Sequence, residues 1–249
     1  GDGNRCRCKG AVLIDLFRSV EETGSTNADL LNLATQGAPD GLWLRADRQS
    51  AGKGRMGRDW QSSIGNFYGS TLVRLRPEDT LAPTLAFVAA LAVYDALKEV
   101  APQVDLLIKW PNDILSGGAK ISGILLERRD DAVIIGMGIN LAFHPQGLGR
   151  PVTSLSALGV TPPTAQEFQP VLARCLSHWL CLWRGGGLPD ILTAWQARTH
   201  AKGTPLFVHL PDGQSIEGVF DGLDAHGALQ LRLADGAVRA IHAGDVFLI

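Results

Sequence analysis

A chain of 249 residues, 45% of them hydrophobic and 19% charged, holds enough material for one or two packed domains. A net charge of −2 gives no bulk attraction to nucleic acid, so any anion site must be local. The longest apolar run, Leu81 to Tyr94, is interrupted by Pro83 and falls short of the ~20 residues of a membrane span, which leads us to expect a soluble, cytoplasmic protein that does not enter a membrane.

In chain order, Ala11 to Val20 predicts a first strand, followed by Gly24-Ser25-Thr26-Asn27 and then the helical periodicity of Ala28, Leu30, Leu31 and Ala34. Ser25, Thr26 or Asn27 can cap that helix, and Asp29 three residues after Thr26 allows a capping box. A helix N-terminus carrying hydroxyls is also a site for an anion or a carboxylate. Gly41 to Arg48 predicts a strand, and Asn66 to Leu75 alternates like another. Between them lies Gln49-Ser50-Ala51-Gly52-Lys53-Gly54-Arg55-Met56-Gly57-Arg58-Asp59-Trp60. Five cations from Arg45 to Arg58 stand against Asp47 alone, and the three glycines let the backbone take positive φ and bring N–H groups to a ligand. The stretch matches G-x-G-x-x-G, yet no helix follows it directly, no Gly-Lys-Ser/Thr ends it, and kinase signatures are missing downstream. An anion cradle is the reading we carry forward; a solvated surface loop is the plain alternative.

Thr80 to Val100 predicts a buried helix whose wet end carries Asp95, Lys98 and Glu99. Val104 to Ile108 predicts a strand running into Lys109-Trp110-Pro111-Asn112-Asp113, which gathers a lysine, an indole, an amide and a carboxylate where a strand ends. A simple turn accounts for Pro-Asn-Asp equally well. After Ser116-Gly117-Gly118, the segment Ala119 to Glu127 reads as a strand in which alternation puts Lys120 and Ser122 on a face with Ile124 and Leu126. A lysine entering an apolar strand needs an anionic partner, unless it guards a sheet edge. Ala132 to Leu141 predicts a buried strand whose Gly136 and Gly138 permit close approach, or a bulge. Ser154 to Arg184 reads as mainly helical, with a last helix from Pro189 to Arg198. From Leu206 onward five short alternating strands joined by glycine turns suggest a small barrel without a catalytic constellation, its histidines scattered singly. We place the domains at residues 1–200 and 201–249. Cys6, Cys8, Cys175 and Cys181 have neither C-x-x-C spacing nor histidine partners, so they read as reduced thiols and no metal site is expected.

Four stretches in this order closely resemble biotin protein ligases: Ser25-Thr26-Asn27, Gly52 to Trp60, Lys109 to Asp113, and Gly118-Ala119-Lys120-Ile121-Ser122-Gly123-Ile124-Leu125-Leu126-Glu127. Gly136-Met137-Gly138-Ile139-Asn140 supports the resemblance, which covers Val20 to Leu141 closely and the C-terminal strands more loosely. It implies an α+β fold, a mixed β-sheet flanked by helices related to class II synthetases, with a small C-terminal SH3-like β-barrel. It implies an enzyme that makes biotinyl-5′-AMP from biotin and ATP with Mg2+, then acylates a lysine of a biotin carboxyl carrier protein. Ser25, Thr26, Asn27, Gln49 and Gly52 would contact biotin. Lys53, Gly54, Arg55 and Lys120 would surround its carboxylate and the α-phosphate. Arg58, Trp60, Lys109, Asn112, Asp113 and Asn140 would serve ATP. Lys120, Arg55 and Lys53 would carry catalysis, with Asp113 as a base for the acceptor lysine. The loop departs from the family at Lys53, where an arginine is usual; a lysine keeps the charge and loses the planar bidentate reach. About twenty residues before Ser25 are too few for a helix-turn-helix domain, so no specific DNA binding is expected. Monomer and homodimer both stay open. A lipoate-type ligase and a non-catalytic biotin or nucleotide sensor are the rival readings.

Overall fold

The structure is a computed structural model and describes residues 16–79 and 81–248. Cys6, Cys8 and the start of the expected first strand lie outside these residues. The strands β1 (Leu16–Thr23), β2 (Leu42–Gln49), β3 (Phe67–Arg74), β4 (Leu107–Lys109), β5 (Asp113–Ser116), β6 (Ala119–Arg129) and β7 (Ala132–Ile139) form one sheet in the order β1-β2-β3-β7-β6-β5-β4. β1 runs parallel to β2 and every other pairing is antiparallel, so the sheet is mixed.

Side chains alternate across this sheet, and the two faces bury different partners. Trp43, Phe67, Val133 and Ile135 join the large core with α2 (Leu85–Val100), α3 (Ala165–Arg184) and α4 (Leu188–Gln196). Leu42, Leu44, Leu72 and Ile134 point to the other face, where α1 (Thr26–Thr35) covers them with Leu30 and Ala34. Beyond the N-terminus of α1 that second face has no helical cover, and there β7 changes from Ile134 to Gly136 and Gly138. α2 is apolar on most sides because it is held between the sheet and α3, which explains Val88, Leu91 and Ala92 at full burial.

Helix α3 begins at Ala165, inside the span from Ser154 to Arg184 that read as mainly helical. Residues 154–164 hold a short 3-10 turn, Ser156–Leu158, closed by Gly159 at φ 78°, and Pro162 and Pro163 keep the chain extended until Thr164 caps the helix in a box with Glu167. Cys175 is free, whereas Cys181 is disulfide-bonded, which corrects the reading of it as a reduced thiol.

The last strands β8 (Pro205–His209), β9 (Ser215–Leu223), β10 (Leu229–Arg232), β11 (Val238–Ile241) and β12 (Asp245–Leu248) form an antiparallel sheet in the order β11-β10-β9-β8-β12. It is open, not the closed barrel expected, because residues 242–244 carry β12 across to β8 instead of pairing it with β11. Its inner face belongs to the large core: Leu206, Phe220, Leu229 and Val246 are buried there, and the Trp110 indole N–H donates to Gly227 O at 3.1 Å. The change near residue 200 is therefore one of architecture, with a core common to both sides. No helix among the described residues is long and apolar enough to cross a membrane.

Candidate active site

The uncovered part of the sheet, beyond the N-terminus of α1, is a cleft with a polar end and a cationic end. At the polar end Ser25 caps α1 by accepting from Ala28 N–H at 3.4 Å, while Thr26 and Asn27 are buried inside the first turn. Thr26 donates its N–H to Gln49 Oε1 at 2.9 Å, and its hydroxyl lies 2.7 Å from Ser70 Oγ. Ser70 donates to Asn27 Oδ1 at 2.6 Å, and Asn27 Nδ2 donates to Glu127 Oε2 at 2.7 Å. These bonds link four elements into one chain of polar groups held in fixed directions. Asp29 accepts from the Thr23 hydroxyl at 2.5 Å, so the capping box expected with Thr26 is not the bond that forms.

The floor is glycine by necessity. A Cβ on Gly136 would stand 2.2 Å from Asn27 Oδ1, one on Gly138 2.5 Å from the Trp60 ring, and one on Gly123 2.8 Å from Lys120 Nζ. Trp60 lies flat on that floor with Lys120 Nζ 5.4 Å from a ring centroid, and its own indole N–H is buried without a partner among the described residues.

The glycine loop is a tight hairpin, in which Lys53 bridges to Asp59, Gly54 N–H donates to Arg58 O at 2.6 Å, and Trp60 N–H donates to Gly52 O at 2.9 Å. The three loop glycines do not all use the positive φ they permit. Gly57 does, at 70°, and so does Met56 at 56°, while Gly54 has φ −102°. Gly52 is required by closeness, since a Cβ there would meet Trp60 O at 2.8 Å. With those N–H groups spent inside the hairpin, the side chains of Lys53 and Arg55 must supply much of the positive charge.

Lys120 reaches the same floor through an irregularity. Ser122 pairs with Ile114 but Lys120 pairs with the next residue, Leu115, so Ile121 is an extra residue in β6. That bulge sends Ile121 into the core and turns Lys120 onto the side of Gly123, away from the face shared with Ile124 that strict alternation predicted. Its Nζ lies 2.5 Å from Asp113 Oδ1, and Lys109 Nζ lies 3.7 Å from Asp113 Oδ2. Burial pushes the Lys120 ammonium below the ordinary lysine value, and the Asp113 carboxylate opposes that shift. The chain passes from β4 to β5 through a cis Trp110–Pro111 bond, and Asp113 opens β5 opposite Lys109. Asn112 locks that turn, its Nδ2 donating to Ile124 O and its Oδ1 accepting from Arg55 Nη1 at 3.4 Å.

Two groups of the cleft had no sequence signal. Asp245, at the start of β12, lies 2.5 Å from Arg58 Nη2 and 3.8 Å from Arg55 Nη1, and Gly244 O accepts from Arg55 Nη2 at 3.3 Å. The C-terminal sheet therefore enters the site through Asp245. Burial lowers the Arg55 pKa, with Asp245 and then Asp113 working against it. Arg150 is the second, lining the cleft beside Lys120. Of the expected residues, Asn140 stands apart: it lines an adjoining cavity, and its Nδ2 donates to Thr153 O at 3.0 Å. Gly52 is not in the wall of the cleft, and the others expected there are.

Six cations, Lys53, Arg55, Arg58, Lys109, Lys120 and Arg150, face three carboxylates, Asp59, Asp113 and Asp245, in one cleft. Such a site favours anionic ligands.

Comparison with known proteins agrees. The pattern of the Biotin/lipoate A/B protein ligase family matches residues 17–140, and that of the Biotin protein ligase C terminal domain matches residues 208–249. A Biotin--[acetyl-CoA-carboxylase] ligase of Paracoccus denitrificans is 38% identical over 245 residues, covering 92% of this chain and 98% of the relative. The chain belongs to the biotin protein ligase family. A ligase of the same designation from Mycobacterium tuberculosis is 36% identical and covers 91% of this chain and 86% of the relative. A solved biotin protein ligase of Aquifex aeolicus, in complex with biotin and ATP, superposes with a TM-score of 0.84 at 25% identity, covering 95% of this chain and 100% of the other. As a member of this family the chain is a ligase. The order of the motifs in the sequence, from the Ser25 cap to Asn140, thus has a spatial counterpart in a single cleft and its neighbour.

Proposed function

We propose that the protein joins biotin to ATP, forming biotinyl-5′-AMP and pyrophosphate, and then transfers biotin to a lysine of a carboxylase's biotin carboxyl carrier protein in the cytoplasm. The observation that carries this reading is the cleft itself, with fixed polar groups at one end, a glycine floor in the middle, and Lys53, Arg55 and Lys120 at the other end.

In the first step a biotin carboxylate oxygen attacks the α-phosphorus of ATP. The bond to the β-phosphate breaks and pyrophosphate leaves with the electron pair. Both reactants are anions, and Lys53, Arg55 and Lys120 offset their repulsion and the charge that develops at phosphorus. Ser25, Thr26, Asn27 and Gln49 orient biotin from the far end, and Trp60 provides an aromatic surface for adenine. Mg2+ comes as the ion carried by the ATP phosphates, since it is usually held by phosphates with one or two carboxylates. The described residues contain no cluster of three metal-binding side chains, and Asp113 and Asp245 are already tied to cations. In the second step the acceptor lysine attacks the mixed anhydride and AMP leaves. Asp113, engaged by Lys120 and Lys109, serves chiefly to position Lys120, so the acceptor's proton passes to solvent more readily than to this carboxylate.

The test is to incubate the protein with biotin, ATP and Mg2+ in the absence of carrier. Biotin-dependent pyrophosphate release and retention of a compound with the mass of biotinyl-5′-AMP are expected. Intact ATP would overturn the reading in favour of a sensor and make lipoate and octanoate the next substrates to test.

A further inference from the structure

Two cavities meet at Lys120 and Trp60, and both are lined by Arg58, Asp59, Trp60, Lys120 and Arg150. The inner one is the cleft described above, with ≈ 70 Å³ of free space and Trp60 in its wall. The outer one is larger, ≈ 480 Å³, and is closed by the segment that follows β7, through Pro145, Leu148 and Val152. Three cations stand at the boundary. Arg58 is neutralised by Asp245 and Lys120 by Asp113, whereas Arg150 has no ion pair or side-chain hydrogen bond among the described residues.

The backbone next to Arg150 is nonetheless fixed. Lys120 N–H donates to Pro151 O at 3.0 Å, Thr153 N–H donates to Lys120 O at 2.9 Å, and Lys120 and Val152 form a parallel bridge. Asn140 holds the same strap through its 3.0 Å bond to Thr153 O. Pro151 disfavours helical backbone at Arg150, which limits where its side chain can begin. An unpaired guanidinium is thus anchored beside a buried ammonium that it electrostatically disfavours. Lys120 already has Asp113 beside it, and a second anion between the two cations would relieve the repulsion that remains and pair the exposed Arg150.

We propose that Arg150 binds the phosphates of ATP that leave as pyrophosphate. The proposal rests on the adenylating activity inferred above and assigns the outer side of that site. As the α-phosphorus bond breaks, the electron pair collects on the departing bridging oxygen, and a guanidinium there holds the developing charge with two N–H donors. Lys120 then faces the carboxylate and α-phosphate, and Arg150 faces the leaving group.

The experiment compares wild type with Arg150→Ala and Arg150→Lys. Losing one charge-assisted donor at an exposed position should lower kcat/KM for ATP by roughly 10- to 100-fold and weaken inhibition by added pyrophosphate by a similar factor. Arg150→Lys should recover part of both. Biotin affinity, thermal stability and transfer from supplied biotinyl-5′-AMP to the carrier should stay within about twofold, since none involves the leaving phosphates. Unchanged ATP kinetics and pyrophosphate inhibition in Arg150→Ala would overturn the assignment. An equal loss in transfer from supplied adenylate would also overturn it, by making Arg150 a general prop of the cleft. Absence of biotin-dependent pyrophosphate release in wild type would instead bring down the activity on which it rests.

Discussion

Replacing Lys120 with methionine keeps the apolar stem and deletes the ammonium. That ammonium lies 2.5 Å from Asp113 Oδ1, and its side chain is 13% exposed. At ~4 Å from a phosphate oxygen in a site of effective dielectric ~20, one unit charge interacts by about 4 kcal/mol. Part of this is already spent on Asp113, so the loss expected in biotin-dependent pyrophosphate release is ~10²–10³, the usual effect of removing one preorganised donor. A structural effect accompanies it. Asp113 is left with Lys109 alone at 3.7 Å, and a half-compensated carboxylate in a mostly buried position should lower stability by roughly 1–3 kcal/mol. The double variant Lys120→Met with Asp113→Asn removes both charges and should recover most of the stability without recovering the rate. Single-turnover pyrophosphate release at saturating biotin and ATP, with thermal unfolding of the same samples, separates the two effects. A folded Lys120→Met protein within about threefold of the wild-type rate would refute the reasoning, as would recovery of the rate in the double variant.

Three further outcomes are expected. Because burial lowers the Lys120 pKa and Asp113 raises it, the rate should fall on the alkaline side below the pH of an ordinary lysine, and Asp113→Asn should move that limb to still lower pH; a limb that stays in place in the variant would exclude Lys120 as its source. Gly136→Ala puts a methyl 2.2 Å from Asn27 Oδ1, breaking the bonds from Ser70 and to Glu127, which at ~1 kcal/mol or more each should weaken biotin binding by roughly 30-fold or more in calorimetry, with ATP binding unaltered. Asp245→Asn removes the carboxylate from an Arg58 side chain that is 44% exposed, so unfolding should shift by no more than ~1 kcal/mol, while limited proteolysis of the ligand-free loop between Ser50 and Gly65 should quicken severalfold; unchanged cleavage would show that the hairpin's own backbone bonds hold it.

Much of the cleft was legible because its groups sit in short, local patterns. The Ser25 cap, the cation-rich glycine loop and the Lys109 to Asp113 turn each carry their chemistry within about ten residues, and strand alternation fixed the neighbouring elements closely. What was hidden arises from registers between distant segments. The bulge at Ile121 is a mismatch between β5 and β6, and no feature of Ala119 to Glu127 alone reveals that Lys120 leaves the face of Ile124. Ser70 looks like an ordinary residue of an alternating strand until β3 is set beside α1, where it joins Thr26 to Asn27. Asp245 lies almost two hundred residues from Arg58, in a segment whose pattern says only strand. The glycines divide in the same way: Gly57 serves backbone freedom within the loop, whereas Gly123, Gly136 and Gly138 are required by side chains that arrive from elsewhere.

Those distant registers also couple binding to the state of the loop. The hairpin is fixed at its base by backbone bonds from Ser50 to Thr23 and from Ala51 to Gly24, each 2.9 Å, and at its tip by the hold of Asp245 on Arg55 and Arg58. An anion that recruits those arginines competes with Asp245 for the same donors. Ligand entry and weakening of the tip's attachment to β12 are then parts of one exchange, in which a phosphate or carboxylate takes the place of a protein carboxylate at little net change in charge pairing. An anionic ligand that replaced Asp245 would leave the arginines paired, so closure of the loop over a labile adenylate, with water kept out, would cost little in charge pairing.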